Sequence, residues 1–265
     1  MIIVDQYKDK KLLDYIQPNG RYLLRFGHGA GDSIMFMPLL DWLRSSYPKS
    51  IFDLYVECGQ EEIWDSVDEL EPSGYDIIFI IHFPMSEGTD LLKQHKCGLD
   101  EIGIPFECLI GIPELVILPQ LPSPLVALHF HGTALPNSVN CPEKIAKQVW
   151  QEVKDFGLIP IEVHFQHVFH NKANVKFNWI DLSVRNYRAT LQNLFGLIQR
   201  CHAFIGVASG PLVAAMSIMP ERTMYLERSH PLRTYTTDER IQSVDVMDYE
   251  CGSILKWLEG LCQDI

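Results

Sequence analysis

The sequence predicts an α/β protein built in two halves. Strand-sized apolar runs alternate with stretches of helical spacing, the pattern of βαβ units in a parallel sheet. The runs are nearly continuous rather than alternating, as expected where helices cover both faces of a sheet. A proline-rich break near the middle of the chain, followed by a fresh strand, divides the pattern in two.

In chain order, the strand-like runs are "RYLLRF", "FDLYVE", "YDIIFIIHF", "PLVALHF", "IPIEVHF", "AFIGVAS" and "RTMYLE". Helical spacing fits Met35 to Ser46, Glu143 to Phe156, Thr190 to Cys201 and Gly210 to Met219. A last helix is expected over Gly252 to Leu261, a candidate to cross back to the first half. The break, "IPELVILPQLPSP", carries Pro113, Pro119, Pro122 and Pro124. Proline fixes φ and removes a donor, which suits an extended linker. The expected halves are therefore 1–120 and 121–265.

The 265 residues are 47% apolar, enough for a substantial core, and carry a formal net charge of −12. That balance argues against nucleic acid as a partner, which calls for a basic face, and leaves room for a local basic pocket. The seven cysteines are odd in number and include no CxxC pair, which reads as reduced thiols in a cytosolic protein. "MIIVDQYKDKKLLDYI" turns charged too early for a signal peptide, and the longest apolar run, "IIFIIHF", is strand-sized, so no membrane span is expected.

"RFGHGAGDSIMFMPLLDWL" places Gly27, Gly29 and Gly31 at a strand-to-helix turn, where ligands approach the backbone in open α/β sheets. The spacing is not the G-x-G-x-x-G of dinucleotide folds, and no G-K-[ST] follows. Asp32 closes the turn. It suits a helix N-cap; an acid there also repels phosphate and is placed to accept a proton. "VASGPLVAAM" is a second turn of this kind: Gly210 permits close backbone approach, Pro211 suits the first helical position, and Ser209 suits the cap. Such a helix start favours an anion, and it equally serves as the start of a core helix.

"GAGDSIMFMPLLDWLRSSYP" resembles the N-terminal signature of the ADP-heptose:lipopolysaccharide heptosyltransferases, glycosyltransferase family 9. Gly31, Asp32, Pro38, Leu39, Leu43 and Pro48 carry the match. "FIGVASGPLVAAM" is similar to the family's closing strand and D-S/T-G-P turn. "VALHFHGTALPNSVNCPEKIAKQVWQEV" is similar to the strand, loop and helix that open its donor domain. The resemblance spans about 100 residues in three blocks and departs from the family at named positions. A histidine expected soon after Asp32 is missing. Ala208 stands where the turn usually has aspartate. Val139 and Asn140 stand where a cation usually precedes the helix.

The resemblance implies two Rossmann-like α/β domains facing a cleft (GT-B-like), the first for the acceptor and the second for a nucleotide sugar. It implies inverting, metal-independent transfer of a sugar such as heptose to a glycan, lipid-linked or other hydroxyl acceptor, as in lipopolysaccharide biosynthesis. The protein would be cytoplasmic, or peripheral at the inner membrane face. Asp32 would be the base, with Gly29 and Gly31 clearing space for the acceptor. Thr133, Lys144, Ser209, Gly210, Pro211 and Leu212 would meet the donor, its diphosphate held by backbone N–H groups. Glu227 would meet a ribose, and His230 and Arg233 phosphate; for each of these three an ordinary surface loop is the competing reading. No cofactor is implied beyond the donor. Five histidines in "HFHGT" and "HFQHVFH" lack convergent ligand spacing, so no metal site is expected. Two other readings stay open. One is a catalytically degenerate nucleotide-sugar-binding protein, favoured by Ala208 and the missing cation. The other is a GT-B-like nucleotide-sugar epimerase.

Overall fold

The computed structural model describes residues 2–5, 12–26, 40, 42–56, 72–81, 124–132, 140–163, 191–229, 231–232 and 238–263. The chain forms two compact units, Met1–Gly111 with Thr234–Thr236, and Ile112–Arg233 with Thr237–Ile265.

The first unit holds a parallel sheet of β1 (Ile2–Asp5), β2 (Arg21–Phe26), β3 (Ile51–Val56) and β4 (Ile77–Ile81), in the order β1-β4-β2-β3. The central strands are apolar without alternation because both faces are covered: Tyr22, Leu23 and Leu24 are buried, as are Ile77, Ile78 and Phe79. Tyr22 stacks between Phe52 at 5.1 Å and Phe79 at 5.8 Å, fixing β2 between its neighbours. Residues 42–46 are helical, with Leu43 buried, and Arg44 donates through Nη2 to the Phe52 carbonyl at 2.9 Å.

The second unit holds β5 (Leu125–His129), β6 (Ile159–Glu162), β7 (Ala203–Gly206), β8 (Thr223–Glu227) and β9 (Gln242–Asp245), all parallel, in the order β6-β5-β7-β8-β9. Pro160 is tolerated because β6 is an edge strand among the described residues, paired there only with β5. Helices α1 (Glu143–Asp155), α2 (Leu191–Arg200), α3 (Gly210–Ile218) and α4 (Ser253–Gln263) complete the unit. Val149 and Val153 of α1 and Ile254 and Leu258 of α4 share one core with Leu128, Ile205 and Leu226 of the sheet. α3 packs on β7 and β8, and α2 packs on α3.

The terminal helix corrects one expectation. It belongs to the second unit, where its apolar face closes the core and Trp257 is also buried. β1 and β9 are additions to the sequence reading, both at sheet edges.

The two sheets share a local order. In β3-β2-β4 and in β6-β5-β7, the first strand in sequence lies between the second and third. Each sheet therefore reverses its winding direction beside that first strand, at β2/β4 and at β5/β7. Such a reversal is where an open α/β sheet has its ligand crevice, outside the carboxyl ends of the strands.

Candidate functional site

In the first unit the crevice lies at the ends of β2 and β4. β2 ends at Phe26, and the glycine-rich segment follows it in the sequence. Gly29, Gly31 and Asp32 themselves lie outside the described residues.

In the second unit the crevice lies between the ends of β5 and β7. The two ends are tied by the Val207 N–H, which donates to the His129 carbonyl at 2.9 Å. Gly206 is required here: a Cβ would lie 2.7 Å from the Phe204 ring and 3.2 Å from the His129 Cβ. The chain then turns through Ala208 and Ser209 into α3. Ser209 is the N-cap, its Oγ accepting from the Leu212 N–H at 3.4 Å while its own hydroxyl donates to the Val207 carbonyl at 2.9 Å.

This geometry narrows the expected anion site. The sequence reading left the N–H groups from Ser209 to Leu212 open for a ligand. Pro211 has no N–H, and that of Leu212 is turned to Ser209. Of positions 210–212, only Gly210 has an N–H with no acceptor among the described residues. Ala208, where the resembled family has an acid, is buried.

The loop from β5 to α1 is closed at its base. The Cys141 N–H donates to the Phe130 carbonyl at 2.9 Å, and the Gly132 N–H to Asn140 Oδ1 at 2.9 Å. Thr133 lies outside the described residues. Lys144 is exposed in the first turn of α1, while Lys147 pairs with Glu143 at 2.9 Å.

Of three groups at this edge, Arg228 and Glu162 were not singled out by the sequence, and His129 was read there only within the matching block and among the five histidines. Arg228, directly after β8, donates through Nη1 to the Asn140 carbonyl at 2.8 Å. Glu162, the last residue of β6, has a fully buried side chain with Oε1 3.8 Å from His131 Nδ1. His129 is buried and donates from Nδ1 to the Val163 carbonyl at 2.8 Å. β5 ends at His129, so His131 lies beyond the strand. Among the described residues no group of three His, Cys, Asp or Glu side chains is arranged to hold a metal ion.

Glu227 has a local partner: its Oε2 accepts from the Leu232 N–H at 3.0 Å and ties down the loop after β8. His230 and Arg233 lie outside the described residues. Cys141 sits under the site, where burial pushes its thiol up to about 12 against the opposing charge of Arg228.

No family model and no curated protein matches the chain. Solved structures do. The iron-containing dodecameric glycosyltransferase TibC from enterotoxigenic E. coli superposes with a TM-score of 0.67 at 13% identity, over 93% of this chain and 79% of that one. A family 9 glycosyl transferase from Veillonella parvula gives 0.59 at 12% identity, over 94% and 99%. The ADP-heptose lipopolysaccharide heptosyltransferase II of E. coli gives 0.56 at 13% identity, over 92% and 99%. The chain has the fold of the family 9 glycosyltransferases.

The fold expected from the resemblance is thus matched over nearly the whole chain, well beyond the three sequence blocks. In this fold, the two winding reversals and the loops that leave them mark the positions where function is sought. Among the described residues no helix is long and apolar enough to cross a membrane.

Proposed function

We propose that the protein is a glycosyltransferase that moves a sugar from a nucleoside-diphosphate donor to a hydroxyl acceptor on a glycan or lipid-linked substrate. The observation that carries this reading is the family 9 fold together with the β5/β7 crevice, whose β7 rim turns through Gly206 to Gly210 into a helix start. A diphosphate suits such a rim, because the Gly210 N–H and the positive end of α3 favour an anion.

The chemistry follows from the groups. The Asp32 carboxylate takes the proton of the acceptor hydroxyl. That oxygen bonds to the anomeric carbon as the bond from carbon to the diphosphate oxygen breaks, and the electron pair leaves with the diphosphate. Attack opposite the leaving group inverts the anomeric centre. Gly210, backed by Ser209 and Pro211, meets the departing charge. Thr133, Lys144, Glu227, His230 and Arg233 remain donor-site candidates on the resemblance alone. The family resemblance also supports a metal-independent reaction in the cytoplasm, with heptose as the first donor sugar to try.

A binding protein without turnover is the second reading, favoured by the buried Ala208 in place of an acid. Incubation with a panel of nucleotide sugars and hydroxyl acceptors, read by mass spectrometry, separates the readings. Release of nucleoside diphosphate with a glycosylated product is expected, and turnover survives exhaustive chelation. Asp32→Asn lowers turnover by about 10²–10⁴-fold with little change in stability, since Asn caps helices about as well as Asp. Binding without turnover favours the second reading, and an altered sugar still attached to its nucleotide favours an epimerase. Normal turnover in Asp32→Asn removes the base.

A further inference from the structure

Arg228 links two parts of the β5/β7 crevice. It is the first residue after β8, and its Nη1 reaches the Asn140 carbonyl at 2.8 Å. Asn140 is itself anchored to the end of β5 through the Gly132 N–H. In the sheet, β7 lies between β5 and β8. The side chain therefore bridges from β8 to the β5 loop past the end of β7, where α3 begins.

The charge of this bridge is uncompensated among the described residues. Glu227, its chain neighbour, turns Oε2 to the Leu232 N–H at 3.0 Å. Glu162 faces His131, and Asp238 and Glu221 are both taken by Arg240. Arg228 is half-buried, and its bond to Asn140 occupies a neutral acceptor. A guanidinium has five N–H donors in a planar fork, a match for phosphate oxygens. A partly buried cation whose partner among the described residues is a neutral carbonyl gains from an anionic ligand.

We propose that Arg228 is the cation that receives the diphosphate at the β5/β7 crevice, while the same side chain holds the base of the β5–α1 loop. The site takes a nucleoside diphosphate. That identity rests on the transferase reading above; the anion site rests on the geometry. Arg228 thereby supplies, from a different strand, the positive charge that positions 139 and 140 lack.

Calorimetry at low salt tests this with three probes, ADP, adenosine and inorganic pyrophosphate, on the wild-type chain, Arg228→Met and Arg228→Lys. Wild type is expected to bind ADP and pyrophosphate. Arg228→Met should weaken both by about 10- to 100-fold, the scale of a hydrogen bond to a charged group. Adenosine binding should shift less than about 3-fold, and Arg228→Lys should recover part of the loss, as a point charge without the fork. A loss of adenosine affinity equal to that of ADP would mean that Arg228 only props the loop, and would overturn the proposal. So would pyrophosphate affinity unchanged in a folded Arg228→Met, or equal to wild type in Arg228→Lys if the Met variant fails to fold. Wild type binding neither ADP nor pyrophosphate overturns both this proposal and the donor reading. Pyrophosphate binding that depends on Arg228, without transfer from any nucleotide sugar, sinks the transferase reading and upholds the anion site.

Discussion

Glu152 Oε1 accepts the hydroxyl proton of Tyr249 at 3.0 Å. The same oxygen accepts from the Gly252 N–H at 2.9 Å, and Oε2 accepts from the N–H groups of Ile254 at 3.0 Å and Leu255 at 3.2 Å. A buried carboxylate on α1 thus caps the start of α4, where the helix dipole favours negative charge. Burial, then the charge of Glu152, pushes the Tyr249 phenol well above its ordinary range, so it stays a donor throughout the physiological range. Glu152→Ala strands four donors, that of Ile254 buried and the other three part-buried, and should cost about 3 kcal/mol or more. Tyr249→Phe removes one bond and should cost about 1 kcal/mol. Urea unfolding measures both; a Glu152→Ala loss below that of Tyr249→Phe would show that α4 is held by its apolar face alone.

Gly206 and Phe204 set a second test. They are two apart on β7 and so lie on one face, and the Phe204 ring fills the space a side chain at 206 would need. Gly206→Ala forces that fully buried ring, or the backbone of β5 at His129, to shift. A loss of about 1–3 kcal/mol is expected from such overpacking. Gly206→Ala with Phe204→Leu should recover part of it. Additive losses in the double variant would place the strain elsewhere.

The parts of the fold that sequence could reveal are those whose burial is written in one segment. β2, β4, β5, β7 and β8 read as apolar runs because residues such as Leu23, Phe79, Ala127 and Ile205 are buried on both faces. β9 was invisible: "QSVD" is an edge strand, largely exposed, held by its ladder to β8 rather than by side-chain burial. α4 was legible as a helix, but its place was not. The group that caps it is a glutamate about one hundred residues earlier, and an acid on a helix normally reads as solvent-facing. The site divides in the same way. The Ser209-Gly210-Pro211 turn announces a helix start through local backbone chemistry. The bond from Arg228 to Asn140 spans 88 residues and exists only because β8 lies one strand beyond β7.

The cysteines offer a chemical check. Burial pushes the thiols of Cys141 and Cys201 up to about 12 from about 9, whereas Cys251 is exposed. Both buried groups are therefore more strongly protonated in the folded chain than in the unfolded one. The stability this brings is complete below pH 9 and is lost as pH rises toward 12. At pH 8 an alkylating reagent should label Cys251 and spare Cys141 and Cys201 until the chain unfolds, because the thiolate is the nucleophile. Peptide mapping by mass spectrometry reads the sites. Early labelling of Cys141 would mean that the base of the β5–α1 loop opens without global unfolding.

Gly210 and Ser209 separate the anion-binding role of the turn from its structural role. Ser209 caps α3 through one long bond of 3.4 Å, so Ser209→Ala should cost no more than about 1 kcal/mol. It also releases the Leu212 N–H. If that amide faces a bound diphosphate, donor affinity in Ser209→Ala stays near wild type or rises despite the lost stability. Gly210 acts differently, because its N–H is the one in positions 210–212 without an acceptor among the described residues. Gly210→Val leaves the N–H in place but puts two methyl groups beside it. A diphosphate that must approach the amide is then excluded, and nucleoside-diphosphate binding should be lost while the chain stays folded. Calorimetric titration of ADP or a nucleotide sugar against both variants, with thermal unfolding as control, decides the matter. Wild-type affinity in a folded Gly210→Val places the diphosphate away from the α3 start and leaves Ser209, Gly210 and Pro211 with a structural role only.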